Sequence, residues 1–188
     1  EGELNPEPGS AMAKIDESFT FKPLRIATLT VSDTRDKATD KSGDVLEAMI
    51  REDGHALVKR EIVIDDLTQI RAKVESWIAD AGVDVVITTG GTGFTGRDVT
   101  PDAVKPLFEK EIEGFSVIFH MLSFKSVETS TIQSRACGGT ANGTYIFCLP
   151  GSPGACKDAW NGILKWQLDA RHRPCNLVDI MPRLKETR

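Results

Sequence analysis

Short apolar runs bounded by turn residues alternate along the chain with stretches of helical spacing. Leu24 to Val31, LRIATLTV, alternates large and small apolar residues and predicts a buried strand ending at the polar run Ser32-Asp33-Thr34-Arg35-Asp36. Beyond a charged loop, Val45, Leu46, Met49 and Ile50 share one helical face, Asp44 and Glu47 have capping-box spacing, and Gly54 supplies a stop. Ala56 to Ile64 predicts a second strand. Asp65-Asp66 then cap an amphipathic helix with Leu67, Ile70, Val74, Trp77 and Ile78 on one face. Asp84 to Thr89 reads as a third strand and Thr144 to Leu149 as another. Strands alternating with helix-length connections predict an α/β fold whose mostly parallel sheet is covered on both faces.

Three further segments are less regular. The helix expected after Thr100 is kinked or shortened by Pro106. Phe115 to Phe124 is apolar on several sides and predicts a helix buried in the core or at a subunit contact, with His120 a core or interface histidine rather than a ligand. Thr129 to Arg135 is polar and hydroxyl-rich, and Arg135 leads into the small residues Ala136 to Thr140. A last helix carries Ala159, Trp160, Ile163, Leu164 and Trp166, and the tail from Arg171 is basic and proline-punctuated, either packed on a neighbour or loose. The opening residues, 1–13, are rich in Glu, Pro, Gly and Ser and read as a tag remnant or disordered tail, leaving 14–188 as a single domain.

Composition narrows the classes. With 188 residues and 40% hydrophobic content, the chain suits one globular domain with a substantial core. A net charge of −5 and no clustered Lys/Arg run argue against a nucleic-acid partner. Cys137, Cys148, Cys156 and Cys175 form no CxxC pair, and His55, His120 and His172 have no zinc spacing, so reduced, mostly buried cysteines of a cytoplasmic protein are expected. No apolar run approaches the roughly 20 residues of a membrane span.

The candidate chemistry gathers at two strand ends. Thr88 to Pro101 orders a strand end, a glycine-rich loop and a helix start, with Thr100-Pro101 as N-cap and first-turn residue. Gly90, Gly91, Gly93 and Gly96 leave backbone N–H groups open to a phosphate, and Arg97 and Asp98 add charge. The loop fits neither GxGxxG nor the P-loop. A second strand-to-helix turn, Pro150-Gly151-Ser152-Pro153, has Ser152 and Pro153 as cap and first-turn pair and lacks the glycine at 150 of a hydrolase elbow. If the strand ends share one sheet edge, Ser32, Asp33, Asp65, the 90–98 loop and the 150–153 turn meet in one crevice. Carboxylates Asp65 and Asp98 facing bound phosphates call for Mg²⁺ between them, which points to Mg-dependent phosphoryl or nucleotidyl transfer. The plainer alternatives are that Asp65 is only an N-cap and that Asp98 only fixes the loop by accepting backbone N–H bonds.

The stretches TTGGTGFTGRDVTPDAV and LPGSPGACKDAW together resemble the MogA/MoaB family of molybdenum cofactor biosynthesis. The flanking EGFSVIFHMLSF, TSTIQSRACGGTANGTYIF and QLDARHRPCN are most similar to its MoaB branch, and the likeness runs from Pro23 to Asn176. The resemblance implies a three-layer α/β/α, molybdopterin-binding-like fold with a small additional β element. It also implies a pterin crevice and, in active members, Mg²⁺- and ATP-dependent adenylylation of molybdopterin. On that likeness Asp65 and Asp98 are the catalytic, metal-binding aspartates, with Asp66 the neighbouring candidate. Gly90, Gly91, Thr92, Gly93 and Ser152 match positions that line the ligand pocket, Ser32 and Gly151 join them as substrate-binding candidates through the shared sheet edge, and Asp40 and Ser42 belong to a DxSG-like loop near the nucleotide. A homotrimer or homohexamer is implied. The rivals are a non-catalytic molybdopterin-binding oligomer of the same pathway, a scaffolding oligomer with a vestigial pocket, and hydrolysis of another nucleotide.

Overall fold

The computed structural model describes residues 14–186, so the 1–13 segment read as a tag or tail lies outside the described residues. In chain order the elements are β1 (Lys14–Ile15), β2 (Arg25–Val31), α1 (Lys41–Glu52), β3 (Ala56–Val63), α2 (Leu67–Ile78), β4 (Val85–Thr89), α3 (Thr100–Val104), β5 (Lys110–Glu111) and α4 (Glu113–Val127). Then come β6 (Cys137–Ala141), β7 (Thr144–Leu149), α5 (Pro153–Ala159), α6 (Lys165–Gln167), β8 (His172–Arg173) and α7 (Leu177–Ile180). The main sheet has the order β3-β2-β4-β7-β6-β5, its first four strands parallel and the last two antiparallel. β1 and β8 pair separately.

The two-residue period of the strands sorts their side chains into two cores. Ile26, Val85, Ile87, Tyr145 and Phe147 pack beneath α1, α4 and α5 with Leu46, Ile50, Phe119 and Trp160. Ala27, Leu29, Val86, Ile146 and Cys148 meet Ile70, Val74, Trp77, Ala103 and Val104 from α2 and α3 on the other face. The result is the expected three-layer α/β/α arrangement. Four parallel strands carry the site because their C-terminal ends share one edge.

Several local expectations change. α1 starts at Lys41, capped by Asp40, whose carboxylate accepts from the Gly43 N–H at 3.0 Å. The Asp44/Glu47 capping box therefore does not form, and Glu47 accepts instead from Arg60 at 2.9 Å and Arg51 at 3.0 Å. Strands β5 and β6 were not expected. Gly138 and Gly139 give β6 no alternating apolar signal, because the space of their side chains is filled by the rings of Phe147 and Phe108. Val99, not Thr100, occupies the cap position of α3, and that helix gives way to a 3₁₀ turn at Lys105–Leu107 where Pro106 removes a donor. Leu67 is exposed, and Trp166 is only half-buried beyond a π-helical turn at Trp160–Leu164.

α4 is buried along one stripe only. Only Phe115, Phe119 and Ser123 are buried, while Val117, Ile118, Met121, Phe124 and Val127 remain exposed, Met121 at 64%. Core burial thus accounts for one stripe of this helix and leaves an apolar outer face. The basic tail, by contrast, packs on its own chain: Asn176 caps α7, and the Tyr145 hydroxyl donates to the Leu177 carbonyl at 2.7 Å. Among the described residues no helix is long and apolar enough to cross a membrane.

Candidate functional site

The ends of β2, β3, β4 and β7 open into one cavity of about 490 Å³. Ser32, Asp65, Gly90, Gly91, Thr92, Gly93, Asp98, Gly151 and Ser152, all expected at the site, line it. Backbone geometry explains why the loop after β4 is rich in glycine. Gly90 has φ +106°, and a Cβ there would collide with the Val31 carbonyl of the neighbouring strand. Gly91 has φ +64°. The turn closes through the Thr100 hydroxyl, which donates to the Gly90 carbonyl at 2.9 Å, and the Thr100 N–H, which donates to the Gly91 carbonyl at 2.9 Å.

The two aspartates lie against this bare backbone. A Cβ on Gly91 would sit 2.8 Å from Asp65 Oδ1, and one on Gly93 would sit 2.7 Å from Asp98 Oδ2. Among the described residues, the N–H groups of Gly91 and Thr92 meet no protein acceptor. Asp65 is not the cap of α2. Asp66 takes that role, accepting from the Gln69 N–H at 2.9 Å, which leaves the Asp65 carboxylate free of capping. Burial pushes the Asp65 carboxyl above its usual range, and the charges of Asp33 and Asp98 add to this against the opposing Arg97. Asp98 moves the other way. Its Oδ2 accepts from the Thr95 hydroxyl at 2.6 Å and the Thr95 N–H at 2.9 Å, and these bonds hold its carboxyl low. Asp98 therefore does fix the loop, while lining the cavity at the same time.

Two cations border the cavity, Arg97, expected with its loop, and Arg35, which sequence reasoning did not assign to it. Arg97 spans its mouth and is paired with Asp33, Nε at 3.0 Å and Nη2 at 2.8 Å, while Asp33 also accepts from the Asp65 N–H at 3.0 Å. One carboxylate thus ties together the loops after β2, β3 and β4. Arg35 donates to the Gly151 carbonyl at 2.9 Å, which the Ser42 hydroxyl also reaches at 2.7 Å. Ser42 and Asp40 stand behind the cavity, not on it. Asp40 is fully buried and is spent on capping α1 and on the Thr30 hydroxyl at 2.8 Å. The turn after β7 matches expectation, with Ser152 Oγ accepting from the Ala155 N–H at 3.1 Å and Pro153 at the first helical position. Burial pushes the thiol of Cys156, beneath this turn, up to about 11.

A second cavity of about 340 Å³ adjoins the first and shares Gln133, Ser134, Pro150 and Ser152 with it. Phe119 and Val127 give it apolar walls, Ser123, Ser126 and Ser130 add hydroxyls, and the buried Thr131 hydroxyl has no partner among the described residues. Gln133 and Ser134 escaped assignment because only the path from α4 to β6 brings their hydroxyl-rich segment to the strand ends.

A glycine loop and a serine-capped turn at the open edge of a doubly covered parallel sheet define a pocket for an anionic small molecule. Residues 27–170 match the family described as probable molybdopterin binding domain, and the chain belongs to that family. More particularly, it is 52% identical over 159 residues to Molybdenum cofactor biosynthesis protein B of Escherichia coli (strain K12), covering 85% of this chain and 94% of that one. The protein of the same name from Staphylococcus epidermidis is 43% identical over 151 residues, covering 78% and 86%. A crystal structure of Molybdenum cofactor biosynthesis protein B superposes with TM-score 0.79 at 40% identity, covering 87% of this chain and 96% of that one. The tungsten cofactor synthesizing protein MoaB from Pyrococcus furiosus superposes with TM-score 0.72 at 31% identity, covering 88% and 99%.

Proposed function

We propose that this protein acts in molybdenum cofactor biosynthesis by binding molybdopterin and ATP and adenylylating the pterin. The observation that carries this reading is the pair of carboxylates, Asp65 and Asp98, set against the bare Gly91–Gly93 backbone of one cavity. The terminal phosphate oxygen of the pterin attacks the α-phosphorus of ATP, the bond from that phosphorus to the bridging oxygen breaks, and pyrophosphate leaves. No nucleophilic side chain is required, since the substrate brings its own oxygen.

Each residue has a task. The Gly91 and Thr92 amides receive phosphate oxygens, and Arg35 and Arg97 balance their charge. The second cavity, with its hydroxyls and apolar walls, suits a flat polar heterocycle beside the phosphate. Asp65 and Asp98 would hold Mg²⁺, an oxygen-only donor pair of the kind this ion takes when substrate phosphates and water complete its shell. Among the described residues no cluster of three or more His, Cys, Asp or Glu forms a self-sufficient metal cage. Held there, Mg²⁺ would supply positive charge to offset that of the phosphates. The exposed apolar face of α4 is the surface where a second copy of the chain would close the trimer or hexamer. Met121→Lys is then expected to shift the sedimentation coefficient to that of a smaller species.

The test is turnover of ATP with molybdopterin and Mg²⁺ by the wild type, Asp65→Asn and Asp98→Asn, following adenylylated pterin and pyrophosphate. We expect product from the wild type and a loss on the order of 100-fold in each variant, with pterin binding retained. Tight pterin binding without product in the wild type would leave the non-catalytic carrier standing instead.

A further inference from the structure

We infer that Arg135 is the positioning residue of the glycine-rich loop, holding the Gly93 and Asp98 carbonyls on the outer side so that the Asp98 carboxylate is presented to the cavity. The inference deepens the proposed function and rests on it for the identity of the substrate, though not for the loop geometry. Arg135 lies 37 residues beyond Asp98, yet grips both ends of the loop. Its backbone N–H donates to the Thr92 carbonyl at 2.8 Å, Nε to the Gly93 carbonyl at 2.9 Å and Nη2 to the Asp98 carbonyl at 2.6 Å. Its outer edge pairs with Asp102, with Nη2 3.0 Å from Oδ2, and its guanidinium lies 5.7 Å from the centre of the Phe94 ring.

The consequence follows from the planar trans peptide, in which N–H points opposite to the preceding C=O. With the Thr92 carbonyl held by the Arg135 N–H, the Gly93 N–H faces the other way, and the guanidinium holds the next carbonyl, Gly93, together with that of Asp98. Asp98 is thus fixed twice, its main chain by the Arg135 guanidinium and its side chain by Thr95. A guanidinium is the side chain suited to this task, because its fork reaches two carbonyls and a carboxylate in one plane. Arg135 is itself anchored. The preceding Ser134 carbonyl lies 3.0 Å from His120 Nε2, and the Ala136 N–H donates to Ser134 Oγ at 3.2 Å. The chain of contacts runs from α4 through Ser134 to the loop and ends on a carboxylate of the site.

The loop tip, Phe94 to Arg97, is exposed, so carbonyls released by Arg135 turn to water and the fold loses little while the site loses its shape. The experiment compares wild type, Arg135→Ala and Arg135→Lys, with magnesium pyrophosphate as the probe in titration calorimetry and adenylylation as a second readout. We expect pyrophosphate affinity to fall about tenfold in both variants, with millimolar guanidinium, but not methylammonium, restoring Arg135→Ala. Turnover is expected to fall further, about 100-fold, through kcat with KM for the pterin little changed. Wild-type affinity in Arg135→Ala, or a loss that guanidinium does not rescue, would overturn the inference, as would a wild type that binds no pyrophosphate. If Arg135→Ala fails to fold, Arg135→Lys decides by the same affinity measurement. A wild type that binds pyrophosphate in this Arg135-dependent way, yet makes no adenylylated pterin, would remove the adenylylation reading and leave Arg135 in its role.

Discussion

The loop after β4 and the turn after β7 do the same local job, handing a strand over to a helix at the mouth of one cavity, but they are held in different ways. The turn is built from its neighbours in sequence: Ser152 caps the helix it begins, Pro153 presets the first turn, and nothing lies within 4 Å of a Cβ added to Gly154. The glycine loop has no side-chain cap at Val99. It is held by residues far away in the chain, with Arg135 on its carbonyls, the Asp33–Arg97 bridge across its mouth and the Val31 carbonyl packed against Gly90. Local order suffices to start a helix. A site that places two carboxylates around bare amides needs tertiary clamps.

The same substitution in the two places should separate them most clearly. Gly90→Ala forces a Cβ into the Val31 carbonyl at a positive φ, and a loss of roughly 2–5 kcal/mol in urea unfolding is expected. A loss below about 1 kcal/mol would mean that the loop yields more readily than its clamps imply. Next in size is Ser152→Ala, which removes the cap bond to the Ala155 N–H at the start of α5 and should cost about 1 kcal/mol. If stability were unchanged, the claim that this turn depends on its own cap would fail. Gly154→Ala has room and an ordinary helical backbone, so a gain of about 0.4–1 kcal/mol is expected, opposite in sign to Gly90→Ala.

The far edge of the sheet serves as a control that should leave both loops untouched. His55 Nδ1 accepts from the Leu24 N–H at 3.1 Å, and burial holds the imidazole below its ordinary value, partly offset by the charges of Asp53 and Asp169. The unfolded chain therefore binds the proton first. This group's stabilisation is complete above about pH 6.5 and is lost as the pH falls from there through the folded-state value. Urea midpoints measured from pH 8 downward should decline across that window in the wild type and less steeply in His55→Asn, which keeps an acceptor but does not titrate. Equal slopes would assign the proton to another group.

Much of this molecule was legible before its structure. The buried parallel strands, the amphipathic α2, the Ser152-Pro153 cap and the glycine loop each announce themselves through period, capping chemistry or the need for a bare backbone, all of which act within a few residues. The strand β6 did not, because Gly138 and Gly139 leave their share of the core to Phe147 and Phe108. Asp40 looked like a nucleotide contact and is a buried cap, while Asp65 could have been a cap and is free at the cavity. Neighbouring residues could not distinguish these roles, since both carboxylates stand just before a helix.

The class of fold, the edge where chemistry collects and the residue types that meet there are readable from the chain alone, because short-range periodicity and helix-start chemistry are written in adjacent positions. The assembled fold settles which carboxylates face the cavity, that Arg35 borders it, that Arg135 clamps its loop and that α4 keeps an apolar face outside. Those outcomes depend on contacts between residues tens of positions apart, and such contacts exist only once the sheet has aligned its strand ends.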